Sequence, residues 1–154
     1  MRVVHIITRM IVGGAQENTR FNCLDLVRDY ADDVTLITGP SLGAEGCLLE
    51  KYRDPDLNVI EVPELLRSIR PLADAKAHSK IKGLLSRLKP DVVHTHSAKA
   101  GILGRAAAWT LKVPCVVHTV HGAPFHPYQA LATRKFYQWC ERWAARRCHR
   151  LISV

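Results

Sequence analysis

The stretch that decides the fold is Lys89–Arg105, KPDVVHTHSAKAGILGR, in the second half of a chain of 154 residues. A short apolar run, Asp91 to Thr95, leads into polar residues and then into an alanine-rich segment, Ser97 to Leu111. Lys112, Val113 and Pro114 follow this segment and interrupt it. A short apolar run followed by a longer helical one predicts a buried β-strand that feeds an α-helix.

The same strand-then-helix order continues outward on both sides of this stretch. Strands that alternate with helices favour a parallel sheet covered on both faces, so we predict a Rossmann-like, doubly wound α/β fold. Ligands of such sheets bind beyond the carboxyl ends of the strands, and the loops there matter most. The further strands are predicted at Val3–Thr8, Val34–Thr38, Asn58–Val62, Cys115–Val120 and Leu151–Val154, and the further helices at Ala15–Tyr30, Pro71–Leu88 and Pro127–Cys148.

The composition is that of a folded domain in a reducing compartment. Hydrophobic residues make up 47% of the chain and charged residues 23%, which excludes a disordered protein. The five cysteines are odd in number and form no C-x-x-C pair, which argues against a disulfide framework. No apolar run approaches the roughly 20 residues that cross a bilayer, and the first residues lack a signal-peptide pattern. We therefore predict a cytoplasmic domain.

Two basic stretches account for much of the net charge of +8. Arg67 to Lys89 carries seven basic residues and one acid, and Arg134 to Arg150 carries six and one. Such stretches attract phosphates in nucleic acid, anionic lipid or a diphosphate substrate, but they are equally typical of solvated helix faces. No RNP, zinc-finger or helix-turn-helix signature is present, so nucleic acid is not predicted as a partner.

Three loops at strand ends are the candidate sites. Gly13-Gly14-Ala15-Gln16 lies before the first helix, where glycines allow close ligand approach, although a plain connecting turn would look the same. His94 and His96 close the fourth strand and should share one side of it, with Thr95 opposite. His121 and Gly122 follow the fifth strand, where an imidazole can face a ligand.

Metal binding is the main alternative for the histidines. Five of them lie within 33 residues, and three imidazoles can hold a catalytic zinc. However, H-E-x-x-H is absent and no carboxylate falls between Asp91 and Glu141, so we predict no metal site. Asp54-Pro55-Asp56 resembles a D-x-D metal motif, but its central proline favours a turn.

The order and spacing of the three loops resemble the N-terminal half of GT-B glycosyltransferases, most closely the retaining enzymes of family 4. The resemblance covers essentially the whole chain. The matching segments are VVHII with GGAQ, KPDVVHTHS with AKAGILGR, VP with VVHTVHG, and the closing LISV.

The resemblance implies a nucleotide-sugar donor, a glycan or lipid-linked acceptor, transfer with retention, and no cofactor or obligatory metal. Members of this kind build polysaccharides and glycoconjugates, and the basic stretches would hold such a domain at the inner face of an anionic membrane. The implied roles are catalytic for His121, contact with the donor phosphate or sugar for Gly13, Gly14, Gln16 and Gly122, and acceptor binding for His94, His96, Ser97 and Lys99.

The resemblance also implies that most of the donor site lies in a C-terminal domain with an E-x7-E motif. No two glutamates here are eight positions apart. We therefore expect residues 1–154 to be the acceptor-side domain, cut at the sixth strand, with negligible turnover alone. The rival interpretations are a non-catalytic sugar- or nucleotide-binding module and, with less support, a nucleotide-sugar epimerase or NAD enzyme, against which the missing third glycine of G-x-G-x-x-G counts.

Overall fold

The computed structural model describes residues 1–42, 44–52 and 54–154. The chain alternates strands and helices through its whole length. In chain order the elements are β1 Arg2–Ile7, α1 Gly14–Tyr30, β2 Asp33–Thr38, α2 Leu48–Tyr52, β3 Asn58–Glu61, α3 Pro71–Leu88, β4 Val92–His96, α4 Ala98–Thr110, β5 Cys115–Val120, α5 Leu131–Ala145 and β6 Arg150–Ser153.

All six strands pair in parallel, in the order β3-β2-β1-β4-β5-β6. The chain moves outward from β1 to β3 and then returns to β4 on the other side of β1. The strand order therefore reverses between β1 and β4, and the loops after these two strands diverge to leave a crevice. The predicted Rossmann-like parallel sheet is confirmed.

Two apolar cores lie on opposite faces of the sheet, because successive residues of a strand point to opposite sides. On one face α3 and α4 pack against the sheet through residues such as Val4, Ile6 and Val93. On the other face α1 packs through Cys23 and Leu24 against Val3 and its neighbours. The doubly wound arrangement is thus confirmed, and it assigns each strand side chain to one of two environments.

The helix boundaries follow local signals. In α3, Pro71 occupies the first turn and the Asp74 carboxylate accepts the backbone N–H of Arg70 at 3.1 Å. Lys89 ends the helix in the left-handed conformation with φ 46°, and Pro90 prevents its continuation. Strand and helix ends agree with the predictions to within one residue, apart from the last helix.

The last helix was predicted too long. It was predicted over Pro127–Cys148, whereas α5 spans Leu131–Ala145. Gln129 turns its side chain back onto the preceding loop, where it accepts the N–H of His126 at 3.2 Å and donates to the carbonyl of Pro124 at 3.1 Å. These local hydrogen bonds satisfy the loop without a helix. The short helix α2 was not predicted, since five residues are too few to show a period.

The Asp54–Asp56 segment is a turn, as predicted. Asp54 forms a two-pronged ion pair with Arg20 of α1 at 2.5 and 2.6 Å, and Asp56 pairs with Arg28 at 2.9 Å. Both carboxylates therefore tie the connection before β3 to α1. Among the described residues, no helix is long and apolar enough to cross a membrane.

Candidate functional site

A hydrogen-bonded pair of side chains joins the two loops at the point where the strand order reverses. Thr8 follows β1 and Ser97 follows β4, and their hydroxyl oxygens lie 2.7 Å apart. The Thr8 hydroxyl also accepts the backbone N–H of Ala100 at 3.2 Å, in the first turn of α4. The position of the α4 N-terminus is thereby fixed relative to β1.

Ser97 carries an unusual backbone conformation at this junction. Its φ of 60° and ψ of 160° fall in a region that is essentially restricted to glycine. A non-glycine residue there costs about 1–3 kcal/mol and persists only where its surroundings hold it in place. Such strain concentrates at functional sites, so the loop between β4 and α4 is a candidate on structural grounds as well as by its sequence.

A cleft of about 700 Å³ opens beside this junction. Five of the nine predicted site residues line it, and they come from three different loops. The same cleft contains residues that the motifs did not reveal, including Thr8, Arg9 and Asp74. The predicted residues that line it are Gln16, Ser97, Lys99, His121 and Gly122.

Of the three candidate glycines, Gly122 lines the cleft, whereas Gly13 and Gly14 lie beside it in the loop that leads to Gln16 of α1. A side-chain Cβ at Gly13 would lie 2.9 Å from the Gln16 amide oxygen, whereas one at Gly14 or Gly122 would meet nothing within 4 Å. Packing therefore explains neither Gly14 nor Gly122. Gly14 is the first residue of α1, and open space beside the backbone at a helix N-terminus allows a ligand to approach closely.

Behind the cleft, four histidines form one cluster on the α1 face of the sheet. His5 lies opposite His94 in the β1–β4 register, with ring centroids 4.9 Å apart. The His94 and His96 rings are 4.2 Å apart, which confirms that they share a side. His96 is fully buried and reaches His121 through a ring-to-ring hydrogen bond of 3.1 Å. His94 and His96 thus lie behind the cleft wall.

Burial keeps these histidines neutral. Removal from water lowers the pKa of His5 to about 3 and that of His94 to about 4. The pKa of His96 is lowered by burial and then by the neighbouring histidines, and that of His121 is lowered by burial. At neutral pH the cluster therefore consists of uncharged imidazoles, each with one N–H donor and one acceptor nitrogen.

His5, His94 and His96 are close enough to hold a metal ion, since one ring nitrogen from each lies within 4.8 Å of the others. In the structure several of their ring nitrogens already take part in hydrogen bonds. His5 Nδ1 lies 3.0 Å from His96 Nε2, and His94 Nε2 lies 2.7 Å from the hydroxyl of Thr119. The three-residue group contains no carboxylate to offset the charge of a buried dication. The prediction of a metal-free site remains a prediction.

Lys99 already has protein partners. Its ammonium group lies 2.6 Å from the Asp74 carboxylate and also donates to the carbonyl of Ser68. The charge that Lys99 brings to the cleft is thereby offset by a carboxylate from the first turn of α3. Asp74 was visible in the sequence as the single acid of the first basic stretch, but only the packing of α3 against α4 brings it to the cleft.

The family comparison follows from this geometry and from the sequence. The "Glycosyl transferase 4-like domain" family matches residues 13–154, which is most of the chain. The chain belongs to this family. The loops that carried the resemblance are those that meet at the cleft.

A curated Escherichia coli protein, "UDP-Gal:alpha-D-GlcNAc-diphosphoundecaprenol alpha-1,3-galactosyltransferase", is 36% identical to this glycosyltransferase-like chain. The alignment extends over 157 residues and covers all of this chain and 38% of that protein. The chain therefore spans about two fifths of the length of this relative.

Solved structures share the fold at low identity. MurG from Acinetobacter baumannii superposes with a TM-score of 0.68 and 16% identity, covering 99% of this chain and 41% of that one. UDP-GlcNAc 2-epimerase from Methanocaldococcus jannaschii superposes with a TM-score of 0.66 and 16% identity, covering 99% and 39%. At such identity the likeness shows a common fold and leaves transferase and epimerase chemistry both compatible with it.

Proposed function

We propose that the protein transfers a sugar from a nucleotide-sugar donor to a lipid-linked glycan acceptor, with retention at the anomeric carbon. The observation that carries this proposal is the full-length match of the chain to a relative named for transfer from UDP-Gal to a GlcNAc-diphosphoundecaprenol. The cleft supports it, since the Gly122 backbone and the start of α4 face the same open space. The Gly14 backbone, at the start of α1, is also open to a ligand.

Within this proposal the loops have separate tasks. Gly13, Gly14, Gln16 and Gly122 approach the donor phosphate or sugar, and His121 donates a hydrogen bond to it. Ser97 and Lys99 lie on the acceptor side. Departure of the donor diphosphate is assisted by fixed dipoles and positive charge, with no metal required from this domain.

The rim of the cleft fits an acceptor that is anchored in a membrane. Phe136 of α5 and Ile69, just before α3, line the cleft and remain about half exposed. Trp139 lies one helical turn from Phe136 with 63% of its surface exposed, and Lys135 is exposed beside it. Exposed aromatic side chains next to basic ones are typical of surfaces that rest on anionic lipid.

The transfer proposal is tested with the full-length protein and a panel of radiolabelled UDP-sugars. The acceptor is a GlcNAc-diphosphate carried on a polyprenyl or a shorter lipid chain. We expect label to move to the lipid, and the anomer of the new bond to match that of the donor. Conversion of UDP-GlcNAc to its 2-epimer without transfer would instead support an epimerase. Tight nucleotide-sugar binding with neither reaction would support a non-catalytic module.

The membrane part of the proposal has its own test. Binding to vesicles that contain anionic lipid should weaken as salt is added, and Trp139→Ser should weaken it further, because burial of one large apolar side chain contributes about 1.5–3 kcal/mol. Tyr30→Ser is the matched control, since Tyr30 is an exposed aromatic residue at the last position of α1 and does not line the cleft. Equal loss in both variants, or salt-independent binding, would contradict a membrane-facing rim.

A further inference from the structure

Three histidines form a continuous hydrogen-bonded chain from the sheet interior to the cleft. His5 Nδ1 lies 3.0 Å from His96 Nε2, and His96 Nδ1 lies 3.1 Å from His121 Nε2. His5 and His96 are fully buried, whereas His121 lines the cleft. We call these three residues the histidine chain.

The two hydrogen bonds must run in the same direction. A neutral imidazole has one donor and one acceptor nitrogen, and His96 uses both of its nitrogens within the chain. If His96 donates to His121, it must accept from His5. If it accepts from His121, it must donate to His5.

The inner end of the chain decides between the two directions. His5 Nε2 is buried and, among the residues that the structure describes, has no hydrogen-bond partner. With the chain running outward, this atom is a lone pair. With the chain running inward, it is a buried N–H without an acceptor, and orphaned buried N–H groups are the rarer arrangement in proteins. The outward direction, from His5 through His96 to His121, is therefore favoured.

The outward direction determines which nitrogen of His121 carries the proton. His121 Nε2 accepts the N–H of His96, so the His121 proton must be on Nδ1. An unconstrained neutral histidine in water carries its proton mostly on Nε2, so the buried pair would reverse that preference. No hydrogen bond joins Nδ1 to the described part of the chain, which leaves it available to a ligand.

We infer that His5 and His96 are positioning residues that hold His121 as the Nδ1–H tautomer, so that it donates a hydrogen bond to an oxygen of the bound donor. The identity of the bound nucleotide-sugar rests on the proposed function, but the tautomer of His121 does not. An N–H group that points at a hydroxyl or phosphate oxygen selects ligands with a hydrogen-bond acceptor at this point. A neutral His121 of the opposite tautomer, with Nδ1 unprotonated, would repel a phosphate oxygen and could only accept a hydrogen bond from a hydroxyl group.

The first experiment is ¹⁵N NMR of the histidine rings in the full-length protein at neutral pH without ligand. The His121 signals are assigned by their loss in His121→Phe. We expect a protonated-type shift for Nδ1 and an unprotonated-type shift for Nε2. The reverse pattern in the wild-type protein would overturn the inference, whatever the protein transfers.

The second experiment removes the middle of the chain. His96→Leu should release His121 toward the Nε2–H tautomer and raise the KM for the nucleotide-sugar about tenfold, the effect of one lost hydrogen bond to the ligand, with a smaller change in kcat. His96→Gln should restore the tautomer and most of the KM, because an amide can accept from His5 and donate to His121.

His78→Leu is the matched control, because His78 of α3 bonds the carbonyl of Leu103 at 3.3 Å as its one partner among the described residues, and it does not line the cleft. It should change neither the His121 tautomer nor the KM. An unchanged His121 tautomer in folded His96→Leu protein would contradict the positioning role. A correct tautomer in a protein that transfers no sugar would instead refute the proposed function alone.

Discussion

An alanine variant is usually more stable than a glycine variant, and the strain at Ser97 predicts the opposite order of stability at this position. Ser97→Ala and Ser97→Gly both lose the hydroxyl that lies 2.7 Å from Thr8 Oγ1 and accepts the Thr8 N–H at 3.3 Å. The two variants therefore differ mainly in the backbone. Glycine relieves about 1–3 kcal/mol of strain at φ 60° and ψ 160° but loses about 0.5–1 kcal/mol to the greater entropy of its unfolded chain.

From the middle of both ranges, Ser97→Gly is expected to be more stable than Ser97→Ala by about 1 kcal/mol. Urea denaturation of both variants measures this difference, because the lost hydrogen bonds cancel in the comparison. Ser86 provides the control, since it is an exposed position within α3 where alanine should exceed glycine by about 1 kcal/mol. If alanine is at least as stable as glycine at position 97, the strain that we assign to this junction does not exist.

Three further outcomes are expected. Gly14→Ala should leave the free energy of unfolding within about 0.5 kcal/mol of wild type, because a Cβ there meets nothing within 4 Å. The same variant should weaken nucleotide-sugar binding in a titration. Gly83→Ala is the control, since a Cβ at this position inside α3 also meets nothing, and it should leave binding unchanged. The free energy of unfolding should fall as the pH drops below about 6.5, because the histidines of the unfolded chain gain protons there while the pKa values of His5 and His118 in the folded chain are about 3. Each of these histidines lowers the free energy of unfolding by about 1.4 kcal/mol per pH unit. Urea denaturation at pH 7 and at pH 5 measures this loss. Chelation with EDTA should leave the transfer rate of the full-length protein unchanged, and a loss restored by added zinc would show that a metal is required.

Much of the site was predictable because strand alternation and the carboxyl-edge rule need no tertiary information. His94 and His96 share a side since two residues separate equivalent positions on a strand. Ser97 and His121 meet because both follow neighbouring parallel strands. The partnership of His5 with His96 was not predictable, because it depends on which strand lies beside β1 and in which register, and His5 itself sits inside an apolar run.

The exposure of one apolar side of α5 could not be predicted from the sequence either. Phe136 and Trp139 have the spacing of a core-facing helix side, and a core position is what that spacing ordinarily indicates. In the structure both have about half or more of their surface exposed, and Phe136 lines the cleft. An apolar stripe that packs on a sheet and one that stays exposed have the same period, so only the packing of α5 distinguishes them.

The segment that decides the fold both lines the cleft and packs against the sheet. Ser97, Lys99 and Ile102 line the cleft. Between and beyond them α4 packs on the sheet, where a Cβ at Gly101 would come 2.5 Å from the His118 ring and one at Gly104 would come 2.8 Å from the Thr95 methyl group. These glycines let α4 approach the sheet closely.

Arg105 holds α4 close to the sheet through buried hydrogen bonds. Its guanidinium is fully buried, bonds the Gly101 carbonyl at 2.8 Å and pairs with Glu141 of α5 at 2.9 Å. A side chain longer than hydrogen at Gly101 or Gly104 would push α4 outward and shift its first turn, where Ser97 joins Thr8. The glycines and the arginine of this motif thus serve the site at a distance, because the close packing of α4 holds Ser97 in a conformation that it would not adopt alone.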